Sequence, residues 1–419
     1  MSAHLSEISP RTAAAEDHPA HRTRASGSRP PRALRGVLNL EDFERHVRAR
    51  LPRAVYGYVS GGAEDDLSYR NNREVFRRWH LVTRILRDVS ARDQGVTLFG
   101  RRYASPFAVA PMGASAVVAF DADNRMARAA RAANIPFVLS ANAITPMEEL
   151  SRAAPGSWFA AYQRPEADNI RDMCARVAAA GYDVFMLTVD VPVGSNRENN
   201  LRSGYTMPLR VSPRLTIDAL RHPRWLGGTA ARTVLRRGIP AISNIDPVDH
   251  PSIFSRKLTA VTGHASFSWA QAELIRRHWK GAFVLKGLLS ADDARLAREL
   301  GADGIVVSNH GGRQLDTSAS PMEVLPAIKA ESGGMTVLAD SGFRRGTDVL
   351  KALALGADAV LIGRPFLYAS ALAGEAGVAH AIRLLRKEID VDMALLGLRE
   401  LGEASPGMLR HRDAPIAPA

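Results

Sequence analysis

A complete strand–helix–strand unit is encoded in the stretch TVLADSGFRRGTDVLKALALGADAVLIGRP (336–365). It begins with a short apolar run, TVLAD (336–340), and closes with a second one, AVLIGR (359–364). Both runs are continuous rather than alternating, which is typical of parallel strands buried on both faces. Gly356 stands just before the second run, where a helix commonly ends in a left-handed residue. The stretch therefore predicts two parallel strands joined by a helix.

The same pattern extends toward the N-terminus, where each apolar run is again followed by a helical pattern. Eight such units in one chain favour an α/β fold of the TIM (β/α)₈ barrel type over an open sheet. No GxGxxG motif follows the first strand, which counts against a dinucleotide-binding fold. The other six runs are FAVAPM (107–112), FVLS (137–140), WFAAY (158–162), VFMLTVD (184–190), FVLKG (283–287) and GIVVSN (304–309).

The segments that lack the strand–helix pattern define the predicted domain boundaries. Residues 1–36 read as a disordered basic tail, and residues 37–410 as one barrel domain followed by a C-terminal tail, 411–419. Within the domain, residues 38–80 read as a helical cap. The gap between the fourth and fifth strands predicts a helix around 266–279 and a long loop or lid insertion at about 191–265 on the catalytic face.

Composition limits the classes of partner. The formal net charge is +12, yet the arginines are scattered, so no nucleic-acid partner is expected. A single cysteine, Cys174, excludes an intramolecular disulfide and a cysteine-based metal site, and no metal ligand set is predicted. No run of 18 apolar residues and no apolar leader is present, which predicts no transmembrane helix and a cytoplasmic protein.

One stretch of the insertion leaves two interpretations open. The segment RHPRWLGGTAARTVLRRGIP (221–240) is basic with interleaved apolar residues. It is interpreted either as an ordinary solvated lid or as a surface that docks peripherally on the inner face of a membrane.

Polar side chains follow the strands from the second onward. In TIM barrels the active site lies at the carboxyl ends of the strands, and a purely structural barrel needs no such rim. The residues concerned are Ser140, Tyr162, Thr188, Asp190, Lys286, Ser308, Asn309, His310, Asp340, Ser341, Gly342, Gly363 and Arg364.

The segment SNHGGRQLD (308–316) carries the most specific chemistry. His310 is a candidate general base because only imidazole titrates near neutrality unperturbed. Asp190 is placed to orient it, and Arg313 to bind a carboxylate with its two-pronged guanidinium. The alternative is a structural histidine, which the shared rim of base, carboxylate and arginine disfavours.

The loops after strands seven and eight predict a phosphate site, as in many barrels. Gly342 and Gly363 allow close backbone approach, while Arg344 and Arg364 supply charge. Lys286, at the end of the fifth strand, leaves three roles open: a Schiff base, a positive charge beside a reduced cofactor ring, or a structural ion pair.

At these residues the chain resembles the FMN-dependent 2-hydroxy acid oxidase and dehydrogenase family, which includes glycolate oxidase, lactate dehydrogenase and mandelate dehydrogenase. The resemblance runs from about residue 38 to 410. Its carriers are YGYVSGGAEDD (56–66), APMGA (110–114), LTVDVPV (187–193), NREN (196–199), LKG (285–287), SNHGGRQLD (308–316), SGFRRGTDVLKALALGAD (341–358) and IGRP (362–365).

The resemblance implies oxidation of a small L-2-hydroxy acid, similar to lactate, glycolate or mandelate, to the 2-keto acid. His310 would be the base that takes the proton of the α-carbon or of the hydroxyl, supported by Asp190, and FMN would accept the electrons. Arg313 and Arg197 would bind the substrate carboxylate, with Tyr58 and Tyr162 as hydrogen-bond donors. FMN would contact Pro111, Met112, Gly113, Ser140, Thr188, Lys286, Ser308, Asp340, Ser341, Gly342, Phe343, Arg344, Gly363 and Arg364.

The resemblance further implies a homotetramer and leaves the final electron acceptor open among oxygen, a quinone and a cytochrome. Four positions depart from the family pattern. Ala160 stands where the family has a glutamine, a loss for which Gln163 would have to compensate, and Asn142 stands where plant glycolate oxidases have a tryptophan. Ser341 replaces the first glycine of the usual DGG, and Gly113 replaces a frequent alanine of the oxidases. The last change favours a dehydrogenase. Alternative functions are a flavin-barrel isomerase and a non-catalytic flavin-binding protein.

Overall fold

The computed structural model describes residues 31–260 and 265–413. Residues 1–30 of the predicted basic tail and residues 414–419 of the predicted C-terminal tail lie outside this range. The first described residues include a short 3₁₀ helix, Arg32–Leu34, whose Leu34 side chain is buried.

Short strands alternate with helices along the chain, as the apolar runs predict. The described strands are β1 (Trp79–Leu81), β2 (Val96–Leu98), β3 (Arg101–Tyr103), β4 (Phe107–Val109), β5 (Val138–Ser140), β6 (Trp158–Ala161), β7 (Val184–Thr188), β8 (Ala282–Leu288), β9 (Gly304–Val307), β10 (Thr336–Ala339), β11 (Ala359–Ile362) and β12 (Leu409–His411).

The helices fall into an N-terminal group, a group in the insertion and a group that surrounds the sheet. They are α1 (Leu40–Arg48), α2 (Arg53–Ser60), α3 (Leu67–Glu74), α4 (Ser115–Val118), α5 (Ala122–Ala132), α6 (Met147–Ala153), α7 (Ala167–Ala179), α8 (Glu198–Ser203), α9 (Pro213–Leu220), α10 (Pro223–Trp225), α11 (Arg232–Arg237), α12 (Trp269–His278), α13 (Ala291–Glu299), α14 (Pro321–Glu331), α15 (Gly346–Ala354) and α16 (Arg364–Leu396).

Strands β4 to β11 form one eight-stranded parallel sheet in the order β4-β11-β10-β9-β8-β7-β6-β5. A parallel bridge between Val109 and Phe137 joins its two edges, which closes the sheet into a barrel. The prediction of a TIM barrel is thereby confirmed, and each of the eight apolar runs overlaps one of its strands. The register sets Thr188 beside Lys286, so polar strand ends meet at one rim.

Two apolar layers explain why the strand sequences are uninterrupted runs of apolar residues. Side chains such as Val138, Met186 and Val284 fill the barrel interior, and Leu139, Phe185 and Leu285 face the surrounding helices. Because both faces of each strand are buried, no polar residue is needed between the apolar ones.

The amino-terminal end of the barrel is closed by the antiparallel pair β2–β3. The Phe99 ring in its turn lies 5.3 Å from the Trp158 ring. Gly304 fits beneath it because a Cβ there would lie 3.0 Å from the Phe99 ring. The barrel therefore opens only toward the carboxyl ends of its strands.

The N-terminal helices cap that opening, as predicted. The Asp316 carboxylate accepts hydrogen bonds from the backbone N–H groups of Leu67 and Ser68, at the start of α3, over 3.2 and 2.8 Å. Gly312 has a φ of 72°, and a Cβ there would lie 2.5 Å from the backbone nitrogen of Tyr69. Helix α3 thus rests directly on the loop after β9.

The insertion between β7 and β8 contains α8 to α12, and α12 matches the helix expected around 266–279. Its segment around Asn244 is tied to the barrel: the Asn244 side chain accepts from Met147 N and donates to Thr145 O, each over 2.8 Å. Arg237 adds ion pairs to Glu149, over 2.7 Å, and to Asp121, over 2.6 Å. The insertion is therefore a docked part of the barrel rim.

Candidate active site

One cavity of about 910 Å³ opens at the carboxyl ends of the barrel strands. Its wall brings together most of the residues that the sequence singled out. These are Tyr58, Pro111, Met112, Gly113, Tyr162, Arg197, Lys286, His310, Arg313, Asp340, Ser341, Gly342, Phe343, Arg344, Gly363 and Arg364.

Five predicted residues lie behind this wall rather than on it, among them Asn309, whose amide donates to Asn72 and to Ala319 O. Asp190 contacts His310, and Ser308 contacts Lys286 over 2.9 Å. Ser140 is buried, and its hydroxyl accepts from the backbone of Asn142. Thr188 is buried at the end of β7. The structure thus gives these side chains a supporting position.

His310 and Asp190 form the first of two hydrogen-bonded pairs at the cavity, with 19% and 11% of their side chains exposed. The His310 Nδ1 atom lies 3.0 and 3.1 Å from the two carboxylate oxygens of Asp190. Burial alone would raise the pKa of Asp190, but the charges of His310 and Lys286 hold it below its usual value. Because an ionised carboxylate only accepts hydrogen bonds, Nδ1 carries the ring proton. Nε2 of the neutral ring therefore holds the free lone pair.

The protonation equilibrium of His310 favours that neutral ring. Burial lowers its pKa below 6.5, and the neighbouring Asp190 offsets this only in part. The backbone of His310 has a φ of 56°, a left-handed conformation that is uncommon outside glycine. Its N–H is held by the Ser308 hydroxyl over 3.0 Å. A fixed backbone and a fixed tautomer are what a general base requires.

Lys286 and Asp340 form the second pair. The ammonium of Lys286 lies 3.1 Å from the Asp340 carboxylate, and only 4% of the lysine side chain is exposed. Burial opposes the charge, but Asp340 and Asp190 together raise the pKa of Lys286 above its ordinary value. A lysine that stays protonated is not a nucleophile, so the geometry disfavours the Schiff-base role.

The four arginines of the cavity wall that the sequence singled out make no ion pair with any residue that the structure describes: Arg197, Arg313, Arg344 and Arg364. Their guanidinium groups donate to uncharged oxygens instead, such as Gly61 O for Arg313 and Phe343 O for Arg344. Burial, with Arg197 and Arg364 nearby, lowers the pKa of Arg313 to about 9. Such cations lack a counter-charge, and an anionic ligand would supply one.

The four arginines fall into two groups by their position in the chain, although the guanidinium groups of Arg313 and Arg364 both donate to Gly61 O. Arg197 contacts the loop after β9 through Arg313 O, over 3.1 Å, and the Arg313 guanidinium lies 5.3 Å from the Tyr58 ring centre. This pair shares the cavity end that contains His310. Arg344 follows β10 and Arg364 begins α16, the helix that follows β11. The second pair therefore lies where barrels commonly bind phosphate.

Gly342 serves a purpose that the sequence did not indicate. It has a φ of 93°, and a Cβ there would lie 2.0 Å from Asn72 O in α3. The close approach that demands a glycine is thus to the N-terminal cap. At Gly363 a Cβ would lie 3.4 Å from the Met112 sulfur, an ordinary contact.

The departures from the family pattern have clear positions. Ala160 is fully buried in the barrel interior. Gln163 does not replace the missing side chain, because its amide donates to Asn169 over 2.7 Å, and it is absent from the cavity wall. Asn142 lines the cavity beside Gly113, whose Cβ, if present, would lie 2.8 Å from the Asn142 Cβ.

Tyr205 belongs to the site although no motif marked it. Its ring stacks on Tyr58 with centres 4.4 Å apart, and it lines the cavity. Its hydroxyl is buried without a hydrogen-bond partner among the described residues. The insertion contributes further apolar wall at Met207, Pro208 and Ile242.

Comparison with known proteins places this geometry in context. A family model described as FMN-dependent dehydrogenase matches residues 47–411. The chain is 38% identical over 377 residues to (S)-mandelate dehydrogenase of Pseudomonas putida, covering 90% of this chain and 94% of that protein. It is also 38% identical over 394 residues to L-lactate dehydrogenase of Caulobacter vibrioides, with 90% and 98% covered.

Solved structures agree with the sequence relatives. A crystal structure of the monotopic membrane protein (S)-mandelate dehydrogenase superposes with a TM-score of 0.84 at 38% identity, over 90% of this chain and 100% of that one. Mandelate oxidase with benzoyl-formic acid has a TM-score of 0.74 at 34% identity, over 89% and 98%.

Proposed function

Since the chain belongs to the family of FMN-dependent dehydrogenases, and is thereby a flavin oxidoreductase of 2-hydroxy acids, we propose that it oxidises an L-2-hydroxy acid with His310 as the base. The observation that carries this proposal is the hydrogen bond between His310 Nδ1 and the Asp190 carboxylate. It leaves Nε2 of His310 unprotonated on the cavity wall. This nitrogen has no hydrogen-bond partner among the described residues.

The residues present fit FMN. Arg344 and Arg364 would hold its phosphate, because they are cations without carboxylate partners beside the start of α16. The backbone at Pro111–Gly113 and the Lys286 ammonium would hold its ring. Bound FMN supplies the acceptor for the electron pair that leaves the substrate α-carbon.

The substrate carboxylate would lie between Arg197 and Arg313, where the guanidinium groups bind and orient it. Asp190 keeps Nε2 of His310 free to take a proton and stabilises the imidazolium that results. Tyr162 stays a hydrogen-bond donor in this pocket, because burial raises its phenol pKa to about 12. Tyr58 donates to Gly113 O over 2.9 Å and adjoins the same space.

We further propose that the substrate side chain is larger than that of glycolate. The wall that the insertion contributes includes an apolar group, Met207, Pro208, Ile242 and Leu258, and the last two are almost fully buried. Burial of an apolar substituent there would add to the carboxylate contacts. Mandelate and L-lactate are named as substrates in the relatives, and a mandelate-like acid suits the apolar wall best.

Two alternatives are less well supported. A flavin-barrel isomerase needs no carboxylate clamp, whereas Arg197 and Arg313 form an unpaired cationic set beside His310. A non-catalytic flavin-binding protein needs no oriented base, whereas His310 is held in one tautomer.

The test is anaerobic. The purified holoenzyme is mixed in turn with glycolate, L-lactate, D-mandelate and L-mandelate while the flavin absorbance is recorded. We expect bleaching with the L acids, fastest with L-mandelate, and slow recolouring in air, as for a dehydrogenase. Flavin that no 2-hydroxy acid bleaches would contradict the proposed function, and fast recolouring would identify an oxidase. Sedimentation of the same sample checks the predicted homotetramer.

We also propose that the insertion binds the surface of an anionic membrane, with a lipid-soluble quinone as electron acceptor. None of the described helices is long and apolar enough to cross a bilayer. The insertion does expose large apolar side chains next to arginines, a combination suited to a membrane surface. The apolar residues are Val211, Ile217, Leu220, Val234, Leu235 and Ile239, and the arginines are Arg210, Arg214, Arg221, Arg224, Arg232 and Arg236.

Vesicles test this second proposal. The holoenzyme is sedimented with vesicles of phosphatidylglycerol and phosphatidylethanolamine, and with neutral phosphatidylcholine vesicles for comparison. We expect binding to the anionic vesicles, loss of binding in Leu235→Ser, and no loss in Leu86→Ser, a matched change at a fully exposed leucine outside the insertion. Equal recovery of Leu235→Ser and wild type with the vesicles would contradict the proposal.

A further inference from the structure

A buried carboxylate outside the cavity joins the two loops that form one of its walls. Asp123, in α5, is 1% exposed. One of its oxygens accepts from the hydroxyl of Ser115, and the other accepts from the hydroxyl of Thr145 over 3.1 Å. Ser115 directly follows the loop after β4, and Thr145 lies on the loop after β5. Asp123 therefore bridges two segments that are 30 positions apart in the chain.

These two loops meet at the cavity. Ala114 N donates to Asn142 O over 2.9 Å, and Gly113 packs on the Asn142 side chain. Gly113 and Asn142 both line the cavity, and Gly113 O accepts from the Tyr58 hydroxyl. A change in the distance between the two loops would therefore displace a proposed cofactor contact, Gly113, and a proposed substrate contact, Tyr58.

The insertion holds the same loop from its other side. Ser243 Oγ donates to Ile144 O over 3.0 Å, and the Asn244 side chain bonds Thr145 O. The loop after β5 is accordingly fixed between Asp123 and the insertion. The two hydroxyls offset part of the burial of the Asp123 carboxylate, and its pKa is nevertheless raised to about 6 by burial.

We propose that Asp123 is a positioning residue of the active site, which sets the spacing of the loops 110–115 and 141–147 and through them the affinity for FMN and for the bound acid. The proposal rests on the proposed placement of FMN against Pro111–Gly113. It assigns a role to a carboxylate that contacts neither substrate nor cofactor. If Asp123 has this role, its hydrogen bonds with Ser115 and Thr145 act together on ligand affinity, so that the loss of both weakens binding no more than the loss of one.

The experiment compares Asp123→Asn, Thr145→Val and Thr145→Ser with the wild-type holoenzyme. Asparagine keeps one acceptor and turns the other into a donor, so one hydroxyl loses its acceptor. Thr145→Val removes the hydroxyl, whereas Thr145→Ser retains it. Asp42→Asn is the control, because Asp42 is a buried helix-capping carboxylate of α1 that is absent from the cavity wall.

Three quantities are measured: thermal stability, FMN affinity from the fluorescence of released flavin, and benzoylformate affinity from the flavin absorbance. We expect Asp123→Asn and Thr145→Val each to weaken both affinities by about tenfold, the loss of one hydrogen bond to a charged group. The double variant should be no worse than the worse single one. Thr145→Ser should restore wild-type values, and Asp42→Asn should lower stability alone.

Unchanged affinities in Asp123→Asn and Thr145→Val, with only a lower melting temperature, would overturn the proposal, because the carboxylate would then be merely structural. Fully additive losses in the double variant would overturn it as well. A wild-type protein that binds FMN but no 2-keto acid would contradict the proposed function, while the effect of Asp123 on FMN affinity would still decide this inference.

Discussion

Two hydrogen-bonded pairs at the cavity have similar geometry and opposite electrostatic character. In each pair a nitrogen donor lies about 3 Å from a carboxylate, at the carboxyl ends of the barrel strands. The pairs are His310–Asp190 and Lys286–Asp340. Burial lowers the pKa of His310, whereas two carboxylates raise the pKa of Lys286 despite its burial. His310 is therefore the member that is neutral at pH 7, whereas Lys286 keeps its charge.

The difference follows from the intrinsic chemistry of the two cations. Imidazole begins near a pKa of 6.5, so desolvation places its neutral form in the physiological range. An amine begins near 10.5, and Asp340 and Asp190 keep it charged. The cavity can thus take up a proton at one pair and present fixed positive charge to a cofactor ring at the adjacent pair.

The largest expected effect is at the titrating pair. His310→Ala should reduce turnover by about 10²–10⁴-fold, the usual contribution of a general base, while FMN stays bound. The rate of anaerobic flavin bleaching by L-mandelate measures it. His80→Ala, at an exposed histidine, is the matched control. Undiminished turnover in His310→Ala would remove the residue from the mechanism and leave the His310–Asp190 pair with a structural role.

A smaller effect is expected at the partner of the base. Asp190→Asn should lower turnover about 10–100-fold, the range known for carboxylates that orient a metal-ligating histidine. Asp190 raises the pKa of His310, so its neutralisation should lower that pKa further. Because the base works in its neutral form, the acid limb of the rate profile should move to lower pH. A limb that moves to higher pH would show that Asp190 does not stabilise the imidazolium.

The smallest effect is expected at the fixed charge. Lys286→Met should slow flavin bleaching by roughly tenfold, equivalent to one charge-assisted interaction, and lower the midpoint potential of the bound flavin. No new pH limb should appear, since the wild-type lysine does not titrate near neutrality. The acid limb should move to higher pH, because the Lys286 charge lowers the pKa of His310. Lys286→Arg, which keeps the charge, is the control. A new pH limb in Lys286→Met would break the contrast between the two pairs.

The sequence predicted the barrel and the rim because both depend on local patterns. Runs such as VFMLTVD and GIVVSN are buried on both faces, and their polar ends necessarily meet where parallel strands end. His310, Asp190 and Lys286 were identifiable for that reason. Their division into a titrating and a fixed pair was not, because it depends on burial and on distances between different strands.

Other parts of the site depended on long-range packing and could not be predicted. Tyr205 lies in an insertion without barrel periodicity, and only its contact with Tyr58 marks it. Gly342 was predicted to admit a ligand, yet its tightest neighbour is Asn72 of the cap. The link from Asp123 to Ser115 and Thr145 joins three separate segments, and no spacing in the chain signals it.

The pH dependence of anaerobic flavin bleaching by an L-2-hydroxy acid tests the central claim most directly. The rate constant of the wild-type holoenzyme would be measured between pH 5 and 10 by rapid mixing. A base whose pKa lies below 6.5 predicts a rate that falls only at acid pH and a flat plateau above neutrality, where Lys286 keeps its charge. A rate that rises as the pH falls would contradict the account, because the reaction would then need a protonated His310.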